Sequence, residues 1–192
     1  MRVLLNQASI LDKNGQYRKA NVLIENRWIV KVSTEPIEAM AACIDMTGYT
    51  LMPGFINTHV HIMECFNGFS DENLKKWLYA GVTTLRDEGI TSRHTAEDAV
   101  AWREKCAKAP TYPTLAVCGR FIAASYGYGG VEPIGVTNET EAREAVRKQI
   151  AAGVDHIKIA LDQGYDAWTR DLPMLPDNIL NTICDETHRL GK

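Results

Sequence analysis

The chain has 192 residues, 45% of them hydrophobic and 23% charged, with a formal net charge of −3, the profile of an ordinary globular protein. The slightly acidic balance and the lack of a basic block exclude a nucleic-acid partner, and no apolar run is long enough for a membrane span. Met1-Arg2-Val3-Leu4-Leu5-Asn6-Gln7 turns polar too early for a signal peptide. The five cysteines are odd in number and scattered without a C-x-x-C pair, which predicts reduced thiols and a cytoplasmic protein.

Residues 1–52 read as short strands and turns. Val3-Leu4-Leu5, Val22-Leu23-Ile24-Glu25 and Trp28-Ile29-Val30-Lys31-Val32 are rich in β-branched and aromatic residues. Asn26-Arg27 joins the last two as a hairpin turn, since Asn tolerates positive φ, and Asp12-Lys13-Asn14-Gly15 is a second turn signal.

From residue 53 the pattern becomes strand-then-helix, repeated four times. The first strand runs Gly54 to Thr58, and its helix Asp71 to Ala80 carries Leu74, Trp77 and Leu78 on one face before Gly81. The second strand is Val82 to Arg86, and its helix starts at the capping box Thr95-Ala96-Glu97-Asp98. The third strand is Thr114 to Cys118, with a helix from Glu139 to Ala152. The fourth is His156 to Ala160, with a helix entered at Pro176 and carrying Ile179, Leu180, Ile183 and Leu190. Four such units imply an α/β fold with parallel strands and right-handed crossovers. The candidate polar residues fall at the carboxyl ends of these strands, where (β/α)8 barrels build their active sites.

The pair His59 and His61 is the strongest chemical signal. Residues i and i+2 of a strand face the same side, so two imidazoles stand together, and neutral imidazole is a common ligand for zinc. A lone His-x-His also occurs by chance. Cys65, close by, is a further sulfur donor but reads better as a buried neutral thiol. Lys158 lies among apolar neighbours near the fourth strand's end. Either its stem packs along the surface with the ammonium in water, or it is buried, loses its proton and becomes a ligand. His156 shares its face and reads as a bystander.

The run Asp45-Met46-Thr47-Gly48-Tyr49-Thr50-Leu51-Met52-Pro53-Gly54-Phe55-Ile56-Asn57-Thr58-His59-Val60-His61 resembles the opening signature of the amidohydrolase superfamily of metal-dependent hydrolases, except that Asn57 stands where that family usually has Asp. Gly81-Val82-Thr83-Thr84-Leu85-Arg86-Asp87 resembles its imidazolonepropionase- and prolidase-like branch. The resemblance implies a small β-sandwich segment over residues 1–52 and the first half, about four βα units, of a TIM barrel over residues 53–192. It implies a divalent-metal cofactor, zinc, as one or two ions held by His59, His61 and a carboxylated Lys158. Asp87 would orient a ligand or line the substrate pocket, the alternative being an exposed salt bridge. Tyr126 and Tyr128, in the glycine-rich loop after the third strand, would contact substrate, unless this is an ordinary surface loop.

The implied reaction is hydrolysis of a carbon–nitrogen bond, amide or cyclic amide, in a small-molecule substrate by metal-activated water. A complete barrel takes roughly 250 residues, so the chain holds about half of one. The family's remaining histidines and its general base are expected outside it. His94, in the loop after the second strand, and His188, in the fourth helix, do not replace them. Two expectations follow: a truncated or partial chain of a metal-dependent amidohydrolase, partnered by a complementing C-terminal half, or a catalytically inactive half-barrel that self-associates as a homo-oligomer through its open edges.

Overall fold

β-Rich segments at the N-terminus assemble, in the computed structural model, into one five-stranded sheet. The structure describes residues 1–62, 70–164 and 171–192. Its strands are β1 (Arg2–Leu11), β2 (Tyr17–Glu25), β3 (Trp28–Ser33), β4 (Ala42–Asp45) and β5 (Thr50–Leu51). The order is β3-β2-β1-β4, with β5 also on β1. The β1–β2 and β2–β3 pairs are antiparallel, while β4 and β5 lie parallel to β1. Asn26, with φ 56°, makes the expected β2–β3 turn. Asp12 Oδ1 accepts the amides of Asn14 and Gln16 at 2.8 and 3.0 Å, closing the other. Leu4, Leu23 and Ile37 form a small core. This sheet belongs to the first of two compact units, Met1–Pro53 and Gly54–Lys192.

The second unit runs β6 (Phe55–Val60), α1 (Asp71–Tyr79), β7 (Val82–Asp87), α2 (Ala96–Ala107), β8 (Thr114–Ala116), β9 (Ile122–Ala124), β10 (Ile134–Val136), α3 (Glu139–Ala151) and α4 (Asp177–Arg189). Strands β6, β7 and β8 form a parallel sheet in that order. Each helix start is chemically marked. Ser70 caps α1, the Thr95–Asp98 capping box opens α2, and Asn138 caps α3. Pro176 enters α4 without a side-chain cap bond. Leu74, Leu85, Ala99 and Leu115 seal α1 and α2 onto the sheet. A second core around Ile122, Val146, Ile179 and Ile183 holds α3, α4 and the β9–β10 pair.

The expected fourth strand, His156–Ala160, is not a continuous strand. It meets the third strand's chain in two separate places. Asp155 N donates to Val117 O at 2.8 Å and Asp155 Oδ2 accepts Val117 N at 2.9 Å. Further on, Ile122 N donates to Lys158 O at 2.8 Å and Ala160 N to Ile122 O at 2.9 Å, leaving an isolated parallel bridge at Ile122–Ile159. The interruption lies in the partner. The third strand stops at Ala116 rather than Cys118 and turns at Gly119, φ +69°, where a Cβ would sit 2.7 Å from Gln149 Oε1. The chain resumes as β9. The first strand also runs later than expected, to Val60, so that His59 lies inside it and His61 just beyond.

Among the described residues Cys43, Cys106, Cys118 and Cys184 are free thiols, and Cys65 lies outside them. Burial pushes the Cys106 thiol up to about 11 and raises Cys118 further. No helix among the described residues is long and apolar enough to cross a membrane.

Candidate functional site

The carboxyl ends of β6 and β7 and the segment 156–160 converge on one cavity of about 690 Å³. His59, His61, Glu88, Phe121, Tyr126, Tyr128 and Lys158 are on its wall. The structure therefore brings together five of the six residues singled out from sequence, and Asp87 is the exception.

The imidazoles of His59 and His61 have ring centroids 5.4 Å apart and planes at 63°. Asn57 Oδ1 accepts the backbone N–H of His59 at 3.1 Å, so the residue that departs from the family signature braces the strand. His61 Nδ1 lies 3.0 Å from Gly89 O. A carbonyl only accepts, so Nδ1 carries the proton, and in the neutral ring Nε2 is the nitrogen with the lone pair. Gly89 is at φ +138°, and a Cβ there would come within 3.0 Å of Phe121.

Residues 87–89 tie the end of β7 to the end of β6. Asp87 Oδ1 accepts Ile62 N at 3.0 Å, and Glu88 N donates to Val60 O at 2.8 Å. Asp87 is 1% exposed, which rules out the exposed salt bridge, and its side chain is not on the cavity wall. Burial pushes its carboxyl up to about 7, against the Ile62 N–H bond and the charge of His61.

Glu88 is the functional candidate that the sequence reading missed. It is 3% exposed. Its Oε1 lies 2.6 Å from Arg86 Nη1 and 3.5 Å from His156 Nε2, and its Oε2 lies 3.3 Å from Lys158 Nζ. The signal was present: consecutive strand residues face opposite sides, so one of the adjacent acids Asp87 and Glu88 had to turn toward the cavity. Burial, and then the charge of Arg86, lower the His156 pKa, which favours the neutral imidazole.

A loop also lines the cavity. Tyr126 is 89% exposed at φ 61°, and the Tyr128 ring lies 6.4 Å from Phe121. Arg120 donates to the carbonyls of Glu132, Val131 and Pro133 at 2.8, 3.0 and 2.7 Å, pinning the loop's return.

The donors suit a divalent ion in part. Two neighbouring imidazoles share a wall, and one has its tautomer set for metal binding by a backbone carbonyl. Among the described residues no three His, Cys, Asp or Glu side chains are grouped closely enough to hold a metal ion. Glu88 and Lys158 line the same cavity.

A family model described as the amidohydrolase family matches residues 50–191. A 5-methylthioadenosine/S-adenosylhomocysteine deaminase of Dictyoglomus turgidum is 35% identical over 81 residues, 41% of this chain and 19% of that protein. A dihydroorotase of Streptococcus pneumoniae is 33% identical over 63 residues, 32% of this chain and 15% of that protein. Among solved structures, a provisionally named prolidase from Bifidobacterium longum superposes with a TM-score of 0.80 at 29% identity, covering 99% of this chain and 47% of that one. The chain thus spans less than half the length of these relatives.

Proposed function

The chain belongs to the amidohydrolase family, whose model matches residues 50–191, and from that premise we propose that it is the metal-binding part of a hydrolase acting on carbon–nitrogen bonds of amides or cyclic amides. The observation that carries this reading is the His59–His61 pair, with His61 Nδ1 committed to Gly89 O, lining one cavity with Lys158. The relatives named deaminase, dihydroorotase and prolidase support carbon–nitrogen chemistry without choosing a substrate.

In this reading His59, His61 and Lys158 hold zinc, with Lys158 carboxylated. A bound divalent ion supplies a water of lowered pKa and polarises the scissile carbonyl. The chain's own part is to orient. Gly89 fixes the His61 ring, Asn57 braces the backbone of His59, and Asp87 anchors the segment between β6 and the residues after it. Tyr126 and Tyr128 contact the small-molecule substrate from the loop wall. The barrel architecture, the cytoplasmic location and a general base on a complementing C-terminal half belong to the same proposal.

Equilibrium dialysis against zinc at neutral pH tests it. We expect at least one tightly held ion per chain, lost in Lys158→Ala. A chain that takes up no zinc contradicts the reading.

A second reading, an inactive half-barrel that self-associates, is favoured by a different feature. Among the described residues β6 pairs only with β7, and Phe55 and Ile56 are 59% and 63% exposed. Sedimentation would then show a dimer, dispersed by a charged residue at Ile56.

A further inference from the structure

We propose that Glu88 is a positioning residue that holds the Lys158 amine in the cavity and couples it to the histidine pair. The inference rests on the metal-site reading above and extends it to a residue outside the expected ligand set. Four contacts carry it. The Glu88 backbone N–H is bonded to Val60 O, the carbonyl between the two histidines, at 2.8 Å. The next residue, Gly89, accepts from His61 Nδ1 at 3.0 Å. The Glu88 side chain reaches the other way, placing Oε2 3.3 Å from Lys158 Nζ and Oε1 3.5 Å from His156 Nε2. One residue therefore touches Val60, between His59 and His61, with its backbone, and Lys158 with its carboxylate.

The burial of Glu88 gives this contact its force. At 3% exposure its carboxylate is shielded from water, and an acid this deep is seldom found without partners. Arg86 Nη1, 2.6 Å from Oε1, supplies the positive charge that keeps the carboxylate in place once Lys158 is carboxylated, when Nζ still has one N–H to donate to Oε2. Lys158 lies on a segment with bridge pairing at a single residue, Ile159, and its side chain is 27% exposed. A long, flexible amine on an irregular segment has many rotamers to lose, and a fixed buried anion selects those that point into the cavity. Residues that orient a metal ligand typically change metal affinity about 10- to 100-fold when removed.

The test uses the full 192-residue chain with Glu88→Gln, which keeps the shape and removes the charge, and Glu88→Asp, which keeps the charge. Two readouts are taken. The first is labelling of Lys158 by an amine-selective reagent in metal-free protein, measured by peptide mass spectrometry as a ratio to Lys105. The second is zinc affinity. We expect the labelling ratio to rise several-fold in Glu88→Gln and zinc affinity to fall about 10- to 100-fold, with Glu88→Asp recovering part of both. General loosening would raise all lysines together and leave the ratio unchanged. An unchanged ratio overturns the proposal, and so does a raised ratio with zinc affinity intact. If Glu88→Gln does not fold, Glu88→Asp is compared with wild type on the same ratio, and no change there overturns the proposal. Zinc binding absent from the wild type, with the ratio still raised in Glu88→Gln, would sink the metal reading while leaving Glu88's hold on Lys158 standing.

Discussion

Two cavities of similar size, about 690 and 630 Å³, open on the unit Gly54–Lys192, and their polar groups are employed differently. The smaller is lined by His94, Thr95, Arg120, Glu141, Lys148 and Gln149, among others. By residue type it looks as reactive as the first. Four of these six, however, are spent inside the fold. Arg120 serves three loop carbonyls. Gln149 Nε2 donates to Cys118 O at 3.3 Å and to Arg120 O. Thr95 and Glu141 secure helix starts. In the larger cavity the neutral His61 ring keeps Nε2 available, and nearby Asp87 Oδ2 is buried without a hydrogen-bond partner among the described residues, while Glu88 Oε1 lies 2.6 Å from Arg86 Nη1 and 3.5 Å from His156 Nε2. Since buried polar atoms are rarely left unsatisfied, the contrast teaches that bond accounting, rather than residue inventory, separates the candidate site from scaffolding.

The largest effect expected from this contrast is on metal. His59→Ala or His61→Ala should weaken zinc uptake more than any other change in a dialysis experiment while leaving the melting temperature nearly unchanged, because His59 is exposed and His61 half-buried. Next in size is a change in the spent cavity. Gln149→Ala strands buried carbonyls and should cost about 1–3 kcal/mol in urea unfolding, with zinc affinity untouched. Zinc loss in Gln149→Ala would break the distinction.

Two acids sharpen it through opposite pH signs. Arg189 and then Arg147 hold the Glu186 carboxyl down at about 2. Its stabilising contribution is thus present above the ordinary value of 4.5 and lost as pH falls toward about 2. Glu186→Gln should flatten the acid limb of a stability–pH curve. Asp87 runs the other way. With its carboxyl raised from 3.8 to about 7, its contribution is full below the ordinary value and is lost as pH rises through about 7. Asp87→Asn should flatten that stretch in the metal-free protein. The smallest stability change belongs to the loop wall: Tyr126→Ala should shift stability by less than about 0.5 kcal/mol and raise KM once a substrate is in hand.

Much of this arrangement was legible before the structure. The strand–helix alternation from β6 to β8 follows from apolar periodicity with strong punctuation, such as the Thr95–Asp98 capping box. The histidine pair follows from period-two geometry. Other parts were hidden for physical reasons. Strands β4 and β5 are mostly exposed and form because β1 offers its free edge, a tertiary fact without a local pattern. The β9–β10 pair and the broken pairing of residues 156–160 depend on the turn at Gly119, which is set by a close approach to Gln149 and Ala96. Glu88 was overlooked because the family signature draws the eye to Asp87, while the partners of Glu88 at positions 156 and 158 lie far along the chain.

The central claim is that His59 and His61 are the imidazole ligands of one metal centre. X-ray absorption spectroscopy at the zinc edge on the loaded 192-residue chain tests it most directly. The account predicts imidazole scattering from two ligands in the wild type and from one in His59→Ala. A spectrum without imidazole, or one unchanged by that substitution, would contradict it.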